Sequence, residues 1–226
     1  MTHSLHRRGD RESLENDYVV FVAREKPIKD LERNRKLLHI MIKNNPVGIT
    51  THKSVDGKRE KLRFAKWWEK GMDSGLHVSA DIEEIYAVDL PQSWGAVYSE
   101  KEDVQRVVTE LAEADLGYSI VVSGIFDEVR DICQEAGIQP HTVNISLETH
   151  GKTSLLADKK ILEFITMCGH SFIAPSLVRH LLKKVMNGTM TAEAAAVEMG
   201  KQCTCNFFNN NRAVMMINQY IQNSAR

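Results

Sequence analysis

Three of the four cysteines in this 226-residue chain fall, with one histidine, in two short segments, Cys168-Gly169-His170 and Cys203-Thr204-Cys205. Thiolates and imidazole are the donors that zinc and iron–sulfur centres take from proteins. Each segment falls in a connection between two predicted helices. Cys168 and His170 precede a helix starting near Ala174, and Cys203 and Cys205 precede one starting near Asn210. Helix N-termini offer free N–H groups and a positive dipole end, which favour anionic sulfur. Gly169 allows the tight turn that brings neighbouring ligands to one point. Three thiolates and one imidazole suit a tetrahedral Cys₃His zinc site. Three thiolates alone can hold a [4Fe–4S] cluster with one iron open to substrate. The Cys-x-Cys spacing fits both, and the iron–sulfur cluster is favoured narrowly over zinc. A metal-free redox thiol set is a third reading. Cys133 differs, because in VRDICQEA it shares a helix face with Val129 and Ala136 and reads as core.

A second group of residues falls where ligands bind in parallel sheets, at strand ends. Ser123-Gly124 joins a predicted strand to a predicted helix and forms a modest anion- or cofactor-binding turn. Gly151-Lys152-Thr153 resembles the tail of a phosphate-binding P-loop, but Ser146 stands where the first glycine is required, so nucleotide hydrolysis is excluded. His150 and Lys152 close the predicted strand HTVNISL, His150 as a proton-transfer group and Lys152 as a holder of an anionic substrate.

The elements that must position these groups follow from the hydrophobic pattern. Strands are expected over Asp17–Ala23, Ile82–Leu90, Tyr118–Val122 and His141–Leu147. Helices are expected over Asp30–Asn44, Leu62–Lys70, Lys101–Ala114 and Ile125–Ala136, with Trp67 and Trp68 on the second. Strands alternating with helices predict an α/β fold with a parallel or mostly parallel sheet. After Ser154 the pattern is helical only: Asp158–Met167, Pro175–Met186, Thr191–Gly200 and Asn210–Gln222. The expected organisation is a flexible tail over 1–17, an α/β domain over 18–153 and a helical subdomain over 154–226 that carries the Cys/His cluster.

No apolar run is long enough to cross a bilayer, and four clustered cysteines do not make a disulfide scaffold, so a cytoplasmic protein is expected. Net charge is −1, but residues 1–75 carry +6 and residues 76–226 carry −7. Interleaved acids make the basic third a solvated face more readily than a nucleic-acid surface. The favoured function is a metalloenzyme acting on a small anionic substrate by elimination, desulfuration or reduction. The alternative is a zinc-stabilised binding or regulatory module that contacts RNA or a protein partner. Either version is open to forming a homo-oligomer.

Overall fold

The computed structural model describes residues 7–23, 30–72, 75, 77–145 and 149–224. Strand β1 (Tyr18–Ala23) is the β-branched run YVVFVA, almost wholly buried. Helix α2 (Leu31–Lys43) starts where the Asp30 carboxylate accepts from Arg33 N–H, and it stops before Pro46. Two eight-residue strands, β2 (Gly48–Val55) and β3 (Lys58–Ala65), form a hairpin around Asp56-Gly57, both at positive φ. That dipeptide is the turn that matches strand twist. A two-residue β4 (Val78–Ser79), helix α3 (Ile82–Tyr86), β5 (Gly95–Tyr98), α4 (Lys101–Ala114), β6 (Ser119–Ser123) and α5 (Phe126–Glu135) complete this half.

The six strands lie in the order β4-β3-β2-β5-β1-β6, and every pairing except β3–β4 is antiparallel. The sheet is therefore mostly antiparallel, and the expectation of a mostly parallel one is corrected. The helical crossovers do join parallel strands: β1 runs through α2 to β2, and β5 through α4 to β6. In each case another strand is inserted between the two, β5 in the first and β1 in the second. This is the split β-α-β arrangement of ferredoxin-like sheets, with the β3–β4 excursion added at one edge.

Three element assignments change with it. Ile82–Leu90 begins as helix α3 rather than a strand, because Asp81 and Glu84 form a reciprocal capping box. Leu62–Lys70 continues strand β3 as far as Ala65 instead of forming a helix, since the Asp-Gly turn commits both flanks to a hairpin. Over His141–Ile145 the predicted strand HTVNISL is exposed coil; Ser146 and Leu147 lie outside the described residues.

Helices α2, α4 and α5 cover one sheet face through Leu37, Leu38, Met41, Val104, Val107, Val108 and Ile132 against Tyr18, Val20, Ile49 and Tyr98. The opposite face, with Val19, Phe21 and Val97, receives Phe207 from the helical half. That half consists of α6 (Lys159–Thr166), α7 (Pro175–Met186), α8 (Ala192–Gly200) and α9 (Asn210–Ser224), with its own core around Phe164, Leu181, Met199 and Phe208. Residues 7–17 are packed instead of trailing as a tail. A short helix α1 (Arg11–Leu14) is capped by Asp10, and Ser13 and Asp17 are buried against Arg212 of α9. No helix among the described residues is long and apolar enough to cross a membrane.

Candidate metal centre

Helix α6 is capped by Asp158 and runs into a tight turn in which Cys168 N–H bonds to Ile165 O and Ser171 N–H to Cys168 O. Ser171 takes a positive φ, and Pro175 opens α7. The second loop begins where Cys203 N–H bonds to Gly200 O at the end of α8. It turns at Asn206, which is also at positive φ. These two loops meet. Cys203 Sγ is 3.6 Å from Cys205 Sγ, and Cys205 Sγ is 3.7 Å from His170 Nδ1. Cys168 lies near enough to Cys203 for the two sulfurs to shift each other's titration. All four residues expected to form the cluster are thus neighbours.

The contacts run as a chain, Cys168 to Cys203 to Cys205 to His170. Among the described residues no group of three or more His, Cys, Asp or Glu side chains is gathered into a shell that holds a metal ion as it stands. Cys168 and Cys203 are fully buried, whereas Cys205 and His170 are half-buried. Phe172 stacks nearly parallel on the His170 ring at 5.4 Å, half exposed itself. The N–H groups that reach the sulfurs come from the loops, from His170 and Phe172 to Cys168 and from Phe207 to Cys203 and Cys205.

Hydrogen bonds from the Cys168 and Cys205 thiols hold Cys203 well below the usual thiol range, against its burial and with help from Arg63. The same bonds, together with burial, push Cys168 and Cys205 up. Of the three thiols, Cys203 is thus the one most favoured to ionise.

The sequence reading missed the side chains that anchor this cluster to the sheet. Arg63 on β3 is buried; it donates from Nη2 to Gly200 O at 2.9 Å, from Nη1 to Cys203 O at 3.4 Å and from Nε to Asn206 Oδ1. Its guanidinium lies 4.1 Å from the Trp68 ring centroid. Burial lowers Arg63 to about 10, opposed by the thiols, so it is cationic at neutral pH. Asn206 Nδ2 donates to Ile49 O and Phe64 O, which pins the cysteine loop to the β2–β3 hairpin. Lys61 Nζ, 2.5 Å away, and His77 Nε2, 2.8 Å away, both address Thr204 O. A charged residue at an inward strand position, as Arg63 is, was the available signal.

The other expected sites gain less. A Cβ on Gly124 would lie 2.6 Å from the Tyr18 ring, so the glycine is required by packing. Ser123 and Gly124 line a cavity of about 80 Å³ with Arg7 and Asp17. The adjoining start of α5 carries Asp127 and Glu128 in its first turn, which already answer the dipole. His150 and Lys152 are exposed on coil leading into a 3₁₀ turn, so the strand end that was to aim them is missing from the described residues. Cys133 is buried, as a core residue should be. Comparison with protein families, with characterised proteins and with solved structures returns no match.

Proposed function

We propose that Cys168, His170, Cys203 and Cys205 bind one zinc-class divalent ion, and that the protein is a metal-stabilised binding or regulatory module. The observation that carries this is the pair of distances, 3.6 Å between Cys203 and Cys205 sulfurs and 3.7 Å from Cys205 to His170 Nδ1. With zinc bonds of 2.3 Å to sulfur and 2.0–2.1 Å to nitrogen, the edges of a tetrahedron are about 3.8 Å and about 3.6 Å. A [4Fe–4S] cluster spreads its thiolates over different irons, so adjoining sulfurs in van der Waals contact favour a single ion. Drawing Cys168 inward completes the shell.

Three thiolates, one neutral imidazole and a divalent ion carry a net charge of −1. Buried Arg63 and part-buried Lys61 supply the compensating charge. With all four positions filled by protein, the centre has no open site for catalysis, and it belongs with structural zinc. Its work is to fasten the loops after α6 and α8 to each other and, through Asn206 and Arg63, to the hairpin.

The test is metal content, acid-labile sulfide and a visible spectrum on anaerobically purified protein, repeated for Cys168→Ala and Cys205→Ala. One zinc per chain, replaceable by cobalt with a tetrahedral thiolate spectrum and lost in both variants, supports the reading. Iron with sulfide and a brown colour restores the cluster-bearing enzyme. No metal, with a Cys203–Cys205 disulfide forming on oxidation, moves the site to thiol redox chemistry.

A further inference from the structure

The sheet has two edges, treated differently by the chain. At one, β4 is two residues long, too short to template another strand. At the other, among the described residues, β6 pairs only with β1, and no described strand lies along its outer row of N–H and C=O groups. Edge strands are normally guarded by lysine, proline or a bulge. β6 reads Ser119-Ile120-Val121-Val122-Ser123, with no charge, no proline and an unbroken register to β1.

Burial marks this as the less covered edge of the central strands. The residues of β1 and β5 are almost wholly buried, whereas Ser119 is exposed and Ile120 to Ser123 are only half-buried. Phe126, at the start of α5 just beyond the strand, is half exposed.

We propose that β6 is a dimerisation strand whose partner is the β6 of a second copy. The sequence chooses the occupant. Ser-Ile-Val-Val-Ser is close to a palindrome, so a two-fold axis through Val121 pairs Ser119 with Ser123, Ile120 with Val122 and Val121 with itself. Isologous antiparallel pairing requires this self-complementarity. Each face of the new ladder then carries like partners. Ile120–Val122 contacts fall on the face covered by α2, α4 and α5, and Val121–Val121 falls on the face that holds Phe207. The product is one continuous twelve-strand sheet with β4 at both outer ends.

Sedimentation velocity of the full chain between about 5 and about 200 µM tests this, with hydrogen exchange on the β6 amides. A dimer is expected, with β6 amides whose protection rises with concentration. Ser119→Lys places a charge on an exposed position opposite Ser123, and Val121→Lys brings two ammonium groups together on the axis. Each should shift the dimer dissociation constant upward at least tenfold. Circular dichroism separates lost pairing from lost fold, and Ser119→Lys remains decisive if Val121→Lys unfolds. A wild-type chain that is monomeric at 200 µM overturns the proposal. So does a dimer unaffected by Ser119→Lys with unprotected β6 amides.

Discussion

Arg212 Nη1 lies 2.6 Å from Asp17 Oδ2, with both side chains fully buried. Arg7 pairs with the same carboxylate from the other side. Asn209 Nδ2 also donates to Asp17 Oδ1. One carboxylate thus holds two cations at the junction of the N-terminal segment, β1 and α9.

Replacing Asp17 by asparagine leaves two buried guanidinium groups without a counter-charge. A loss of about 3–5 kcal/mol is expected, measured by urea unfolding at fixed metal. The pH dependence has a defined sign. Burial raises the Asp17 carboxyl, but Arg7 and Arg212 outweigh it and the group titrates below its ordinary value. Its contribution is therefore complete above the unfolded carboxylate value of about 3.9 and is lost as pH falls through the lower folded value. Asp17→Asn should lack that acid limb.

Arg63→Met removes the donor to Gly200 O, Cys203 O and Asn206 Oδ1 in one step. At about 1–3 kcal/mol for each unsatisfied group, a loss of at least about 3 kcal/mol is expected. Zinc affinity should fall with it, because the compensating charge is gone. Arg63→Lys should recover part of the affinity but little of the stability, since one ammonium cannot span three acceptors. Titration with a chromophoric chelator and thermal melts read the two separately.

His77 is lowered to about 4, chiefly by burial and further by Arg63 and Lys61. An unfolded histidine titrates near about 6.5, so the unfolded chain takes up this proton first on acidification. Stability from this group is full above pH 6.5 and declines between 6.5 and 4, with a slope of up to one proton. His77→Gln should flatten that part of the stability–pH curve; an identical curve would sink the assignment.

Gly95 is a packing requirement of the sheet. A Cβ there would meet Phe21 Cβ and Val20 O at 2.5 Å, neither of which is the end of a flexible side chain. Gly95→Ala is expected to cost at least about 1–3 kcal/mol and to break the β1–β5 register. Loss of protection at Val20 and Val22 amides would register it.

Most helices were legible because their apolar periodicity and caps agree, as at Asp30, Asp158 and Thr191. Two of the three elements that misled carry weaker local signals than their neighbours. IEEIY in α3 has the composition of a strand, and only the Asp81–Glu84 box gives it away. LRFA in β3 is continuous with a helix-like WWEK, and the Asp-Gly turn upstream decides it. Strand insertion left no trace in the alternation of strands and helices, because a crossover is the same length whether or not another strand lies between its ends. The Cys168, His170, Cys203 and Cys205 neighbourhood was legible from residue type and loop position. Arg63 was signalled only by a charge at an inward strand position, visible once Leu62–Ala65 is read as strand, and Asn206 was not signalled, since its partners are mostly backbone carbonyls from distant segments.

The buried junction at Asp17 also bears on how the molecule is made. Arg212 and Asp17 are separated by 195 residues, and Arg7 reaches Phe207 O across 200. Such contacts give no early help to a growing chain, which must be synthesised as far as the first turn of α9 before Asp17 acquires its second cation. At a translation rate of about 5–20 residues per second, that interval is roughly 10–40 seconds. During it, β1 and the β6 edge must be kept apart from other chains without the final lock. Folding is thus expected to end, and to be slowest, where the segment from Arg7 to Asp17 meets the start of α9.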